Sequence, residues 1–311
     1  MKQNKRELSR RAFLASMAAF GAAAHIGHRP ASATSRTVLE KALPATGERL
    51  PVIGMGSWIT FNVGDDKFLR DERVKVLQAF FEGGGGVIDS SPMYGFSEEV
   101  IGYCLARIAD TGSLFSATKV WTPFQWHGIR QMKTSEKLWG EDRFDLLQIH
   151  NLLAWEAHLE TLLEWKAQGR VRYIGVTTSH GRRHDEIEGV MAGQPIDFVQ
   201  FTYNILDREA EGRLLPLAAE RGLAVIINRP FRRGELFDLF ERRPLPDWAA
   251  AFDCANWAQF FLKFIVSHPA VTCAIPATSR VDHMRENMGA AHGRLPDPET
   301  RQRMIRYVES L

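Results

Sequence analysis

Four residues have the types and spacing of a proton-donating site: Asp89, Tyr94, Lys119 and His150. A tyrosine phenol ordinarily titrates near pH ~10, so it gives up its proton near neutrality only if something stabilises the phenolate. Lys119 is the cation that would do so, and Asp89 would hold that cation charged and aimed. His150 would donate to a substrate oxygen and orient a carbonyl. Such a set suits polarising C=O while hydride reaches the carbon. No side chain donates hydride, so the chemistry requires a nicotinamide.

Each of three of these residues closes an apolar run. The run after the four glycines at 83–86 stops at Asp89, 114–118 stops at Lys119, and 144–149 stops at His150. A period of about 30 residues is what one strand-plus-helix unit needs, and ligands gather at the carboxyl ends of parallel strands. Further runs at 50–57, 171–176, 198–203, 224–227 and 271–275 bring the count to eight, each followed by polar residues. Helical spacing appears over 71–82, from Ser97 onward, and over 126–138 and 155–168. The class predicted is α/β, a (β/α)8 TIM barrel with an extra C-terminal helix at 297–309.

An open doubly wound sheet would need a glycine-rich turn straight after its first strand. The four glycines instead precede a strand, so they read as a turn. Gly54 and Gly56 read as places where the backbone passes close to a ligand or a neighbour. Segments 121–127 and 232–248 are the expected long loops beside the strand ends. Trp58, Trp121 and Trp126 sit near those ends and are candidate walls of an apolar substrate pocket, with core packing as the alternative.

Residues 1–33 are set apart from the fold. Ser9-Arg10-Arg11-Ala12-Phe13-Leu14 precedes an Ala-rich, mildly apolar stretch, and Ala31-Ser32-Ala33 follows. This pattern reads as a twin-arginine export signal, which implies the twin-arginine machinery as a partner and a periplasmic location. The stretch is too short and too rich in Ala and Gly for a stable membrane span. Cleavage after Ala33 takes six of the 39 basic and one of the 37 acidic residues, moving formal charge from +2 to −3. What remains, 34–311, has no basic stripe or nucleic-acid motif. Cys104, Cys254 and Cys273 are scattered among apolar residues and read as small buried hydrophobes. No Cys/His cluster or group of His and Asp ligands has metal-site spacing, which argues against a metal-dependent hydrolase.

The motifs Asp89-Ser90-Ser91-Pro92-Met93-Tyr94-Gly95, Thr118-Lys119 and Leu147-Gln148-Ile149-His150-Asn151 resemble the tetrad segments of the aldo/keto reductases. The likeness continues through Ile174-Gly175-Val176-Thr177-Thr178, the run from Phe198 to Asn204, and Ile275-Pro276-Ala277-Thr278-Ser279-Arg280 with Glu286-Asn287. It implies a barrel that binds extended NADP(H) without a Rossmann domain. Tyr94 becomes the proton donor, Lys119 and Asp89 its tuning pair, and His150 the carbonyl-orienting residue. Thr177, Thr178 and Gln200 match positions holding the nicotinamide carboxamide, where Thr178 replaces an amide side chain. Asn228 and Arg229 occupy the cofactor segment after the seventh run, where the family often has a stacking aromatic. Ser279, Arg280 and Asn287 fall in the adenine-phosphate segment. There Ala277 replaces a phosphate-binding Lys and His283 a frequent Arg, which leaves Arg280 to meet a 2′-phosphate. The activity implied is NADP(H)-dependent reduction of an aldehyde or ketone to an alcohol, or the reverse. The alternative is a non-catalytic nucleotide-binding or redox-sensing subunit on the same barrel.

Overall fold

The computed structural model describes residues 37–311, so the expected export signal at 1–33 lies outside the described residues. A short hairpin comes first: β1 (Glu40–Ala42) pairs antiparallel with β2 (Arg49–Pro51). Eight parallel strands then form one sheet in sequence order. They are β3 (Met55–Gly56), β4 (Val87–Asp89), β5 (Phe115–Val120), β6 (Phe144–Ile149), β7 (Val171–Thr177), β8 (Phe198–Thr202), β9 (Ala224–Asn228) and β10 (Cys273–Ala274). The sheet closes through a parallel bridge between Ile53 and Ala274, with Gly54 N–H on Ala274 O at 2.9 Å and Gly56 N–H on Pro276 O at 3.0 Å. The barrel is the one expected from the sequence.

The first expected strand, 50–57, is divided. Its front half serves the hairpin and only Met55–Gly56 enters the barrel, because the chain turns at 52–54 to change partners. The two glycines there answer to a neighbour. A Cβ on Gly54 would lie 2.7 Å from Val87 O, and one on Gly56 2.9 Å from Ile275 O. Gly54→Ala is therefore expected to cost about 1–3 kcal/mol of stability by prising the seam apart. A urea midpoint equal to the unaltered protein's would show that the seam gives way freely.

Helices fill the outer layer. Lys67–Glu82 starts four residues earlier than expected because Asp66 caps it, accepting from Leu69 N at 3.0 Å. Gly83 ends it and Gly84 turns at φ +82°, as the glycine run required. Ser97, a residue type that suits an N-cap, is the first residue of the helix Ser97–Leu105. Its hydroxyl instead donates to Tyr94 O at 2.9 Å, which ties the helix to the Tyr94 loop. The segment 232–248, expected as loop, contains a short helix at Glu235–Phe240. The last helix, Pro298–Glu309, packs outside the barrel; Arg301 reaches in to Tyr203 Oη at 2.6 Å and Ser267 Oγ at 2.9 Å. All three cysteines are free and buried. No helix among the described residues is long and apolar enough to cross a membrane.

Backbone strain is concentrated at one end of the barrel. Of the non-glycine residues with positive φ, all but Asp253 lie on loops leaving the carboxyl ends of strands, including Asn151, His180, Arg183, Arg229 and Arg233. Such conformations each cost about 1–3 kcal/mol and persist where surrounding contacts over-determine them.

Candidate active site

Register brings the first two site residues together. β4 pairs Asp89 with Ala117, and β5 pairs Lys119 with Gln148 of β6. Lys119 is fully buried, and its ammonium donates to Asp89 Oδ2 and to Ser90 O at 2.8 Å. The other carboxylate oxygen, Oδ1, accepts from Gln148 Nε2 and Gln200 Nε2, each at 3.0 Å. Burial pulls the Lys119 ammonium below its ordinary value, and the Asp89 charge opposes that pull. A buried ion pair survives only when the remaining lone pairs are met, and the two glutamine amides meet them.

Tyr94 closes a 3-10 turn, Pro92–Tyr94, and its hydroxyl has no partner among the described residues. Lys119 Nζ lies 5.4 Å from the centre of its ring. His150 follows β6 and stands edge-on to Tyr94, with ring centres 5.6 Å apart. Burial, then the Lys119 charge, pushes the imidazole well below 6.5, so it is neutral. In the ligand-free protein burial, then the charge on Asp89, raises the Tyr94 phenol well above its ordinary value. Two of the three Lys119 ammonium hydrogens go to Asp89 and Ser90. Without ligands, Tyr94 is firmly protonated.

A cavity of about 750 Å³ opens above these groups, lined by Asp89, Tyr94, His150, Thr177, Thr178, Gln200, Asn228, Arg229 and Trp58 among others. That volume falls within the ~300–1,000 Å³ usual for small-molecule sites. Its floor is a chain of amides. Asn228 Nδ2 donates to Thr178 O at 2.8 Å and to Gln200 Oε1 at 3.3 Å, while Thr202 Oγ1 donates to Asn228 Oδ1 at 2.7 Å. The Thr177 hydroxyl accepts from Asn151 N at 3.1 Å. Asn228 thus supports Gln200, which in turn supports Asp89.

The rim is cationic. Arg183 and Arg232 are matched by Glu186 and Asp207, but Arg182, Arg229 and Arg233 have no carboxylate partner among the described residues. His180 Nε2 accepts from Arg229 Nη1 at 2.7 Å, and the Arg229 Nε is buried without a partner. Burial and the charge of Arg233 pull the Arg229 guanidinium below its ordinary value. The lone acid lining the cavity, Asp89, is already paired. An anionic ligand carrying an amide fits this donor set, with hydroxyls and amides below and unpaired guanidiniums at the rim.

Several expected residues stand elsewhere. Trp58 lines the cavity beneath Arg233, whose guanidinium carbon is 4.5 Å from the ring centre. Trp121 and Trp126 do not line it. Trp126 faces solvent between Phe124 and His127, on which it stacks, because the chain turns outward to begin the helix Gln125–Trp139. Ser279, Arg280 and Asn287 also lie off the lining, although Ala277 and His283 of the same segment are on it. Arg280 turns outward to pair with Asp282, and Ser279 O accepts from Arg73 Nη1 at 3.3 Å. Sequence reading assigned no role to Ser91, Gln148, His180 and Arg182, and Arg232-Arg233 read as a solvated loop, with contact to an acidic substrate as the alternative. Gln148 was within reach of alternation, standing two residues before His150 on the same strand face. His180 and the arginines lie on irregular loops, where no periodicity marks them.

Residues 52–303 match the profile of the aldo/keto reductase family. The chain belongs to that family. Methylglyoxal reductase YeaE of Escherichia coli is 26% identical to this aldo/keto reductase over 255 residues, spanning 80% of this chain and 88% of the relative. The NADH-specific methylglyoxal reductase of the same organism is 27% identical over 199 residues, or 54% of this chain and 59% of the relative. An aldo/keto reductase from Klebsiella pneumoniae, solved with NADP and acetate, superposes with a TM-score of 0.71 at 24% identity, covering 87% of this chain and 96% of that one.

Proposed function

We propose that this aldo/keto reductase reduces a small aldehyde or ketone to an alcohol with NADP(H). The observation that carries the reading is Tyr94 and His150 facing one cavity, with the Lys119–Asp89 pair buried behind them. When bound, the nicotinamide supplies the hydride. Thr177, Thr178 and Gln200 would hold its carboxamide, and Arg229 with Arg233 would meet its anionic part. His150 donates a hydrogen bond to the carbonyl oxygen, and Tyr94 hands that oxygen its proton as negative charge develops on it. The paired Lys119 limits the cost of the resulting phenolate.

NADPH oxidation in the presence of methylglyoxal and of simple aldehydes, followed with purified protein, is the test. Turnover is expected, and nucleotide binding without turnover with any of them would instead assign a nucleotide-binding subunit. The pH profile follows from the two shifts. Burial and nearby charge push His150 down and Tyr94 up, which holds the imidazole neutral and the phenol protonated across the neutral range. Reduction is therefore expected to stay level across that window, while the reverse reaction, which needs the phenolate, climbs with pH. A reduction rate that falls with a midpoint near neutrality would contradict this assignment.

Arg280 is the residue we assign to a 2′-phosphate, which requires it to leave Asp282. Arg280→Ala is expected to lower the preference for NADPH over NADH about tenfold. Unchanged discrimination removes Arg280 from that role. We further propose that residues 1–33 direct export to the periplasm through the twin-arginine route, which carries folded proteins. Replacing Arg10 and Arg11 by lysine is expected to leave the protein in the cytoplasm, and a periplasmic yield equal to that of the unaltered chain would refute the signal.

A further inference from the structure

Ser91 takes no part in the reaction as described, yet it is fully buried against the imidazole that does. Pro92 follows it, and the residue before a proline is held extended. Ser91 accordingly has φ −164° and ψ 144°, and caps the turn that carries Tyr94. Its Oγ accepts the Met93 N–H at 3.2 Å and lies 2.8 Å from His150 Nδ1.

Counting hydrogens decides the direction of that second contact. A neutral imidazole carries one N–H, on either nitrogen, and a serine hydroxyl carries one hydrogen. With the imidazole hydrogen on Nδ1, Oγ would accept twice, and its own buried hydrogen would find no acceptor among the described residues. Leaving a buried donor unsatisfied costs about 1–3 kcal/mol. With the hydrogen on Nε2, Ser91 donates to Nδ1 and both buried atoms of this contact are met, while the N–H opens into the cavity. His150 Nε2 has no partner among the described residues, and the side chain lines the cavity.

We propose that Ser91 is a positioning residue that sets the tautomer of His150, holding Nδ1 as an acceptor so that Nε2–H faces the cavity beside Tyr94. The use of that N–H on a carbonyl rests on the reductase reading; the tautomer itself belongs to the ligand-free protein and is measurable without turnover.

The test is long-range 1H–15N correlation on histidine-labelled full-length protein at neutral pH, with the His150 signals assigned by their loss in His150→Gln. The expected spectrum of the unaltered protein has His150 protonated on Nε2 and bare on Nδ1. Ser91→Ala is expected to give a mixture of tautomers and to lower kcat for reduction about 5- to 10-fold, with cofactor KM unchanged. Ser91→Thr, which keeps a hydroxyl, is expected to restore both the single tautomer and the rate. A proton on Nδ1 in the unaltered protein overturns the proposal without recourse to any variant, and so does a Ser91→Ala protein that keeps the Nε2–H tautomer. If the tautomer depends on Ser91 as stated but no carbonyl compound is ever reduced, the positioning role stands and the reductase reading falls.

Discussion

Tyr94→Phe is expected to lower kcat for carbonyl reduction by about 10²- to 10⁴-fold, the range for removing a positioned general acid. The hydroxyl makes no hydrogen bond to a described residue, so its loss leaves no buried partner stranded and the fold should tolerate it. His150 cannot take over as the acid. It is neutral, and its one N–H stabilises the oxygen without readily surrendering a proton. NADPH affinity should be unchanged, since the phenol is not among the groups assigned to the nucleotide. Stopped-flow NADPH oxidation with saturating aldehyde, alongside fluorescence titration of NADPH, separates the two effects. A Phe variant with near-normal single-turnover rates would remove Tyr94 from the reaction.

The second large effect is on stability. Lys119→Met would leave the Asp89 carboxylate inside the barrel with Gln148 and Gln200 as its remaining donors. Breaking a buried ion pair on one side costs about 3–5 kcal/mol, because the other charge stays behind uncompensated. Urea denaturation with an unchanged slope should show that loss as a lower midpoint. Adding Asp89→Asn to the same chain should recover most of it by removing the stranded charge. Activity should remain low in the double variant, since Tyr94 then has no cation behind it to stabilise its phenolate. A single variant destabilised by less than about 1 kcal/mol would contradict the account of Lys119 and Asp89 as a coupled buried pair.

The sequence made the barrel legible because each inward run is apolar and ends in a polar residue. Asp89, Lys119 and His150 could be placed at strand ends by that punctuation alone, and Tyr94 followed from its distance to Asp89. Partner choice was harder to see. Residues 50–57 look like one strand because apolarity does not reveal that 49–51 pair with a hairpin and 55–56 with β4. Side-chain direction was also hidden at Trp126, where a bulky aromatic beside a strand end faces solvent. Which arginines of the rim lack a carboxylate partner was hidden for another reason. Whether an arginine is paired depends on which loops meet, and those loops adopt positive-φ turns at His180, Arg229 and Arg233 that carry no pattern.

A structure of the protein with NADP and an unreactive carbonyl or carboxylate analogue tests the central claim most directly. One ligand oxygen is expected within about 2.6–3.2 Å of both Tyr94 Oη and His150 Nε2, with the nicotinamide on the Thr177–Gln200–Asn228 floor. An analogue held wholly by Arg182, Arg229 and Arg233, leaving both tetrad donors without a ligand oxygen, would contradict it.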